Sequence, residues 1–290
     1  MKNIFALLLL LLFSSSAIAV LSVVDDSGRE VKLAKPAARI VSLAPHATEL
    51  LYAAGAATKL IGVVAFSDFP PEAKQLPQVG DALTLDLERI LVLRPDLVVA
   101  WSSGNNSAQV TQLERAGIPV FRSEPRRADD VASTIERLAI LIGRPGFGQA
   151  VARELRQELT ALTNQYAHAA PVSLFYEIWH EPLMTLNGQH IISDLLNRCG
   201  ARNIFAGLAP LTPSVSVESV LAAKPEVIAG SFDAEARNDW QKWQDIPAVR
   251  GANFCPVDSS RMHRAGARLI RAARDLCSCI DAARQRLPAK

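Results

Sequence analysis

Asp86-Leu87-Glu88-Arg89-Ile90-Leu91-Val92-Leu93-Arg94-Pro95-Asp96-Leu97-Val98-Val99-Ala100 has a counterpart in the second half of the chain, Ser216-Val217-Glu218-Ser219-Val220-Leu221-Ala222-Ala223-Lys224-Pro225-Glu226-Val227-Ile228-Ala229-Gly230. In each copy a helix-capping residue stands two positions before a glutamate, and a basic-Pro-acidic stop follows a short apolar-periodic stretch. An apolar run of strand character comes next. One copy in each half predicts two similar lobes built from helix-then-strand units, each with a glutamate in an equivalent place.

Working outward, strand, turn and helix alternate on both sides of the repeat. Leu21 to Val24 and Glu30 to Leu33 flank Asp25-Asp26-Ser27-Gly28 and read as a hairpin. Strands are expected at Arg39 to Leu43, Ile61 to Phe66, Leu97 to Ala100 and Ile118 to Phe121, with helices from Ala47 and over Gln109 to Ala116. The middle is helical in period from Asp130 to Ile142 and from Gln149 to His168, separated by Gly143-Arg144-Pro145-Gly146. The second segment has no internal breaker and reads as a stiff spacer. Strands resume at Pro171 to Ile178, Val227 to Ala229 and Phe254 to Val257, with a helix entered near His190 and a long helix closing the chain. This order predicts an α/β protein with mainly parallel sheets: an N-terminal lobe over residues 20–130, linking helices over 131–168 and a C-terminal lobe over 169–290.

Residues 1–19 read as a secretory signal, with Lys2, an apolar run from Ile4 to Phe13 and Ala17-Ile18-Ala19 as the cleavage site. The run falls short of the ~20 apolar residues a membrane span needs. The formal net charge is +2 and falls to about +1 without Lys2, which argues against nucleic-acid binding by bulk electrostatics. Arg261, Arg264, Arg268, Arg271 and Arg274 share helical spacing and read as a solvated face. Four cysteines in an exported chain point to disulfides. Cys277 and Cys279 are two apart on a helix and face different directions, so Cys199 and Cys255 are better partners for them than each other.

Ligands of open parallel sheets sit beyond the carboxyl ends of the strands. The residues there are Pro45 and His46, Phe66 and Asp68, Trp101 with its Ser/Gly/Asn turn, Trp179 and His180 with Met184, Phe232, and Ser259 to Arg264. Such a set suits a large, flat, partly apolar ligand held between two lobes. No G-x-S-x-G, Walker loop or strand-linked G-x-G-x-x-G is present, so no enzyme is expected. His46, His180 and His263 would make a metal site if they converged, and otherwise serve as polar lining; one of them ligating a metal carried by an organic ligand lies between the two. Glu88 and Glu218 have a purely local use, since a carboxylate in a helix first turn gains about 0.3–1 kcal/mol from the macrodipole. Their duplication also suits a partner with two equivalent basic sockets, such as a two-fold membrane dimer.

Arg39-Ile40-Val41-Ser42-Leu43-Ala44-Pro45, with Thr48-Glu49-Leu50 and Ala54-Gly55, resembles the start of periplasmic substrate-binding proteins for iron-siderophores, haem and vitamin B12. The similarity continues through Ser67-Asp68-Phe69-Pro70-Pro71, Ala100-Trp101, Cys199-Gly200 and Asn203-Ile204-Phe205, and is strongest to the vitamin B12 binders of that family. The resemblance implies two Rossmann-like lobes joined by a single long backbone helix, the class III periplasmic-binding fold. It implies a monomeric periplasmic component of an ABC importer, with no cofactor of its own, holding cobalamin between the lobes. Glu88 and Glu218 match the glutamates that dock onto the transmembrane permease dimer, and Cys199 and Cys277 match the disulfide of the B12 binders, leaving the state of Cys255 and Cys279 open. Trp101 and Arg264 are retained in the pocket, and Phe66 stands for a tyrosine. Ala82, Met184, Thr212 and Arg261 replace large aromatics, Ser260 replaces an aspartate, and Trp179 is expected to restore part of the aromatic surface. Haem or an iron-siderophore is the runner-up ligand, to which Arg261 would suit an anionic chelate; a metal-dependent enzyme using the three histidines is the competing class.

Overall fold

The computed structural model describes residues 20–232 and 239–288; the expected signal, residues 1–19, lies outside the described residues. β1 (Leu21–Val24) and β2 (Glu30–Leu33) form the antiparallel hairpin. The first lobe holds β3 (Ile40–Ser42), β4 (Leu60–Val63), β5 (Leu97–Trp101) and β6 (Val120–Ser123) in the parallel order β4-β3-β5-β6. The second holds β7 (Val172–Glu177), β8 (Ala201–Asn203), β9 (Val227–Gly230) and β10 (Phe254–Pro256) in the order β8-β7-β9-β10, also parallel. Numbered within its own lobe, each sheet runs 2-1-3-4. β8 was not expected, because Ala201-Arg202-Asn203 offers only three residues with a charged centre.

The repeated stretch builds the same device twice. In α2 (Leu87–Leu93) the Asp86 carboxylate accepts the Arg89 N–H; in α7 (Val217–Ala223) the Ser216 hydroxyl accepts the Ser219 N–H. Each helix stops at a basic residue in left-handed conformation, Arg94 at φ 47° and Lys224 at φ 46°. Proline then prevents continuation, and the acid after it reaches the start of the lobe's first strand. Asp96 accepts the Ala38 and Arg39 N–H groups at 2.9 Å, and Glu226 accepts the Ser173 N–H at 2.7 Å. Since each helix ends at the amino edge of its sheet, Glu88 and Glu218 begin theirs at the carboxyl edge, and both are exposed.

Between the lobes run α4 (Ala128–Leu141) and α5 (Pro145–Gln165), packed along each other. The break is shorter than expected: Gly143 turns at φ 76°, and Pro145 already occupies the first turn of α5. α4 also packs on α1 (Pro45–Ala53) of the first lobe and α6 (Ile191–Arg198) of the second. Consequently the inner faces of both sheets share one apolar cluster, from Ile40 and Leu97 through Ile135 and Leu159 to Leu174 and Ile280. Each outer face has its own cluster, one centred on Ile90 and Val98, the other on Phe175, Val220 and Trp240. A continuous core across the junction resists hinge bending, because opening it would expose close-packed apolar surface.

The first lobe also carries α3 (Ser107–Arg115), and the second carries α8 (Pro247–Arg250), α9 (Ser259–Met262) and α10 (Arg268–Arg286). Cys277 on α10 is bonded to Cys199 at the end of α6, and Cys279 to Cys255 on β10, with Cα atoms 5.0 and 5.7 Å apart. The first is the pairing implied by the resemblance; the second answers what was open. Among the described residues no helix is long and apolar enough to cross a membrane.

Candidate functional site

A cleft of about 780 Å³ opens where the carboxyl ends of the two sheets face each other. In a 2-1-3-4 sheet the chain reverses its winding between the first and third strands, and the crevice there is the usual place for a ligand. The first-lobe wall follows β3 and β5 with Pro45, His46 and Trp101; the second-lobe wall follows β7 with Ile178 and Trp179. Phe66, Ser260, His263 and Arg264 also line it, so seven of the expected site residues share one cavity.

Local chemistry fixes the aromatic groups. Buried Asn105 accepts the Trp101 N–H at 2.6 Å and donates to the Leu43 and Ala82 carbonyls, which ties the Trp101 turn to the end of β3. The indole lies against Gly104, where a Cβ would come within 2.0 Å of the ring, so no other residue fits there without moving it. His46 meets the Trp101 ring edge-on at 5.5 Å and contacts the Ser123 hydroxyl at 3.3 Å. Phe66, at φ 64° and 77 % exposed, and Trp179, 62 % exposed, stand in the cleft with apolar surface that water covers poorly. Trp179 is held by its indole N–H to the Glu181 carbonyl at 2.8 Å.

Met184 is not in the cleft wall. Its backbone bridges Trp179 and Ser214, so it supports the Trp179 loop from behind. His180 also points elsewhere, between the buried Glu177 carboxylate at 3.0 Å and Asp239 at 3.2 Å. It lines a separate pocket of about 260 Å³ with Trp240 and Trp243. Burial works against charge on His180, but the hydrogen bond and field of Asp239 and Glu177 outweigh it and raise its pKa. Ala82 and Arg261 are likewise absent from the wall, Arg261 being paired with Asp258 and Asp275. Among the described residues no three His, Cys, Asp or Glu side chains gather as a metal-binding group.

The arginine stripe is not one solvated face. Arg264 pairs with Asp68 and lies 3.5 Å from Glu49, while Arg268 forks onto Glu49, with Nε to Oε2 at 3.0 Å, and covers the Phe69 ring at 3.9 Å. Glu49 is 4 % exposed and belongs to α1 of the first lobe, so these second-lobe guanidiniums are drawn inward to neutralise a buried carboxylate. Arg271 and Arg274 remain exposed and face Glu158. A second cross-lobe set joins Arg126 to Gln189 and the Ala128 N–H to Asp194.

Sequence reading missed His190. It caps α6, its Nδ1 accepting the Ile192 N–H at 3.2 Å, and it lines the cleft near His263. Burial lowers the pKa of His46, His190 and His263 to about 4 each, with His263 and Arg126 adding to the effect at His190 and Asp258 opposing it at His263. All three are neutral at neutral pH. The signal available was its position: a histidine just before an apolar-periodic helix, at the cap.

Comparison with known proteins agrees with this geometry. Residues 40–254 match the periplasmic binding protein family. A vitamin B12-binding protein of Vibrio parahaemolyticus is 37 % identical over 254 residues, 87 % of this chain and 92 % of that one. The crystal structure of the periplasmic vitamin B12 binding protein BtuF of Vibrio cholerae superposes with a TM-score of 0.81 at 37 % identity, covering 86 % of this chain and 98 % of the other. A periplasmic heme-binding protein, RhuT from Roseiflexus, gives 0.76 at 25 % identity over 85 % and 99 %. Matched by the family over residues 40–254 and by a relative 37 % identical across 87 % of its length, the chain belongs to the periplasmic binding protein family.

Proposed function

We propose that this protein is the substrate-binding component of an ABC importer in the periplasm, capturing a corrinoid of the vitamin B12 type between its lobes and delivering it to a membrane permease. The observation that carries the reading is the cleft itself: Trp101, Phe66 and Trp179 offer flat apolar surface around about 780 Å³, in a chain 37 % identical to vitamin B12-binding proteins. Water-exposed aromatic faces gain by covering a macrocycle, and the few polar groups among them set its orientation. Capture requires little lobe movement, because the common core and the Glu49 ion pairs hold the cleft in shape. No reaction is assigned to the site, which holds its ligand and releases it unchanged.

Delivery is assigned to Glu88 and Glu218. Each is exposed, starts a short capped helix and sits at the carboxyl edge of its sheet, so two arginine-bearing sockets on a permease dimer would meet one acid from each lobe. Calorimetry of the purified protein with cyanocobalamin, haemin and a ferric siderophore panel tests the ligand. Tight corrinoid binding is expected; its absence beside tight haemin or siderophore binding would replace the corrinoid with that ligand. Glu88→Ala/Glu218→Ala should bind as before yet fail to support uptake, and unimpaired uptake would remove the docking role.

A further inference from the structure

Two of the cleft histidines have their protonation pattern set by the neighbour that one ring nitrogen of each faces. Tyr176 is fully buried, and among the described residues its hydroxyl has one partner, His263 Nε2 at 3.1 Å. Burial raises the phenol pKa, so the proton stays on oxygen. That O–H must be placed on an acceptor, since a buried donor left unpaired costs about 1–3 kcal/mol. It therefore donates to Nε2, and neutral His263 carries its own proton on Nδ1. In His190 the arrangement is reversed: Nδ1 accepts the Ile192 backbone N–H, a group that can only donate, so the proton sits on Nε2. Both residues line the cleft. With His263 Nε2 and His190 Nδ1 engaged, His263 Nδ1 and His190 Nε2 are the ring positions these two cleft-lining residues have left to offer a ligand.

We infer that His190 and His263 are a pair of fixed imidazole N–H donors that bind carboxamide carbonyl oxygens on the rim of the ligand, and that neither ligates the metal at its centre. This deepens the corrinoid reading and rests on it for the ligand, since a corrin ring is edged by amide-bearing side chains. A nitrogen that carries a proton has no lone pair for cobalt or iron. Freeing it would require moving that proton onto the nitrogen already occupied by Tyr176 or Ile192. Burial keeps both rings neutral, so the donors do not switch with ordinary changes in pH.

The first test uses the purified protein without ligand. Long-range ¹H–¹⁵N spectra of the histidine rings should show an Nε2–H tautomer for His190 and an Nδ1–H tautomer for His263; the common Nε2–H form at His263 would overturn the inference. The second uses cyanocobalamin. His190→Ser keeps an N-cap but removes the cleft donor, and Tyr176→Phe/His263→Phe removes donor and acceptor together so that no buried hydroxyl is orphaned. Each should weaken binding about tenfold, the scale of one well-placed hydrogen bond. Wild-type affinity in both would overturn the inference. Aquacobalamin supplies the third arm, because an imidazole replacing its bound water shifts the visible spectrum. No shift is expected on binding, and a shift abolished in Tyr176→Phe/His263→Phe would overturn it. If wild-type protein binds neither cobalamin while the tautomers are as stated, the corrinoid reading fails and haemin becomes the probe. A histidine-ligated haem spectrum would then overturn the donor assignment, and weaker haemin binding by the variants without such a spectrum would support it.

Discussion

The two lobes share strand order, capped short helix, left-handed basic stop and acidic clamp, yet they are secured by different means. The first has the hairpin β1–β2 and an apolar core without a covalent link; the second has both disulfides, each anchored on α10. The shared features are what a βαβ unit needs to close. The unshared ones reflect what each lobe must hold in place. Every second-lobe group brought to the cleft from Ser260 to Arg264 sits on the short chain between β10 and α10, a segment with little core of its own.

The largest break in this comparison should come from Cys199→Ser/Cys277→Ser. Opening a loop of 78 residues removes about 4 kcal/mol in the chain-entropy account. Hydrogen exchange should show the loss mainly in β7 to β10, with β3 to β6 protected; equal loosening of both sheets would mean that the lobes do not differ in this way.

Glu49→Gln should come second at about 3 kcal/mol, since it removes the one carboxylate paired directly with partly buried Arg268 and leaves only the more distant Asp68 and Asp258 to offset its charge. Chemical denaturation measures it, and a change below about 1 kcal/mol would show the clamp to be solvated.

Acid should weaken both lobes next, through His46 in the first and His190 and His263 in the second. The folded pKa of His46, His190 and His263 is depressed to about 4. Stability is therefore complete above the unfolded value near 6.5 and is lost as pH falls from there through about 4, on the order of 3 kcal/mol for fully buried His46. His180, whose pKa is raised, acts in the opposite sense: its contribution is present below 6.5 and is lost as pH rises through the raised value. Melting curves from pH 7.5 to 4.5 should fall, and His46→Gln should flatten the slope.

The smallest effects sharpen the symmetry. Asp96→Ala and Glu226→Ala should each cost about 1–2 kcal/mol and match within experimental error, because each removes charge-assisted bonds to the first strand of its lobe. Unequal losses would show that the repeated motif is held differently in the two halves.

The repeat, the strand alternation and the cleft aromatics were legible because they rest on local periodicity and on the residues just past each strand's carboxyl end. Residues whose roles depend on distant partners were not. Glu49 reads as an ordinary helix acid until Arg268 arrives from the far end of the chain, and the arginine stripe looks solvated for the same reason. His180 stands after a strand as His46 does, but Glu177 and Asp239 turn it away. β8 carries too little apolar pattern to be seen, and pairing with β7 makes it a strand.

Gly266 lies where the clamp is tightest. A single added carbon there would stand 2.7 Å from Glu49 Oε2, so that the carboxylate would have to shift, and 3.1 Å from its Cβ, a tight contact. Alanine at position 266 would therefore press on the Glu49 carboxylate itself, the group that Arg264 and Arg268 share. Because Arg264 also lines the cleft, a single methyl at a glycine that touches no ligand would be felt in the cleft wall through that shared carboxylate.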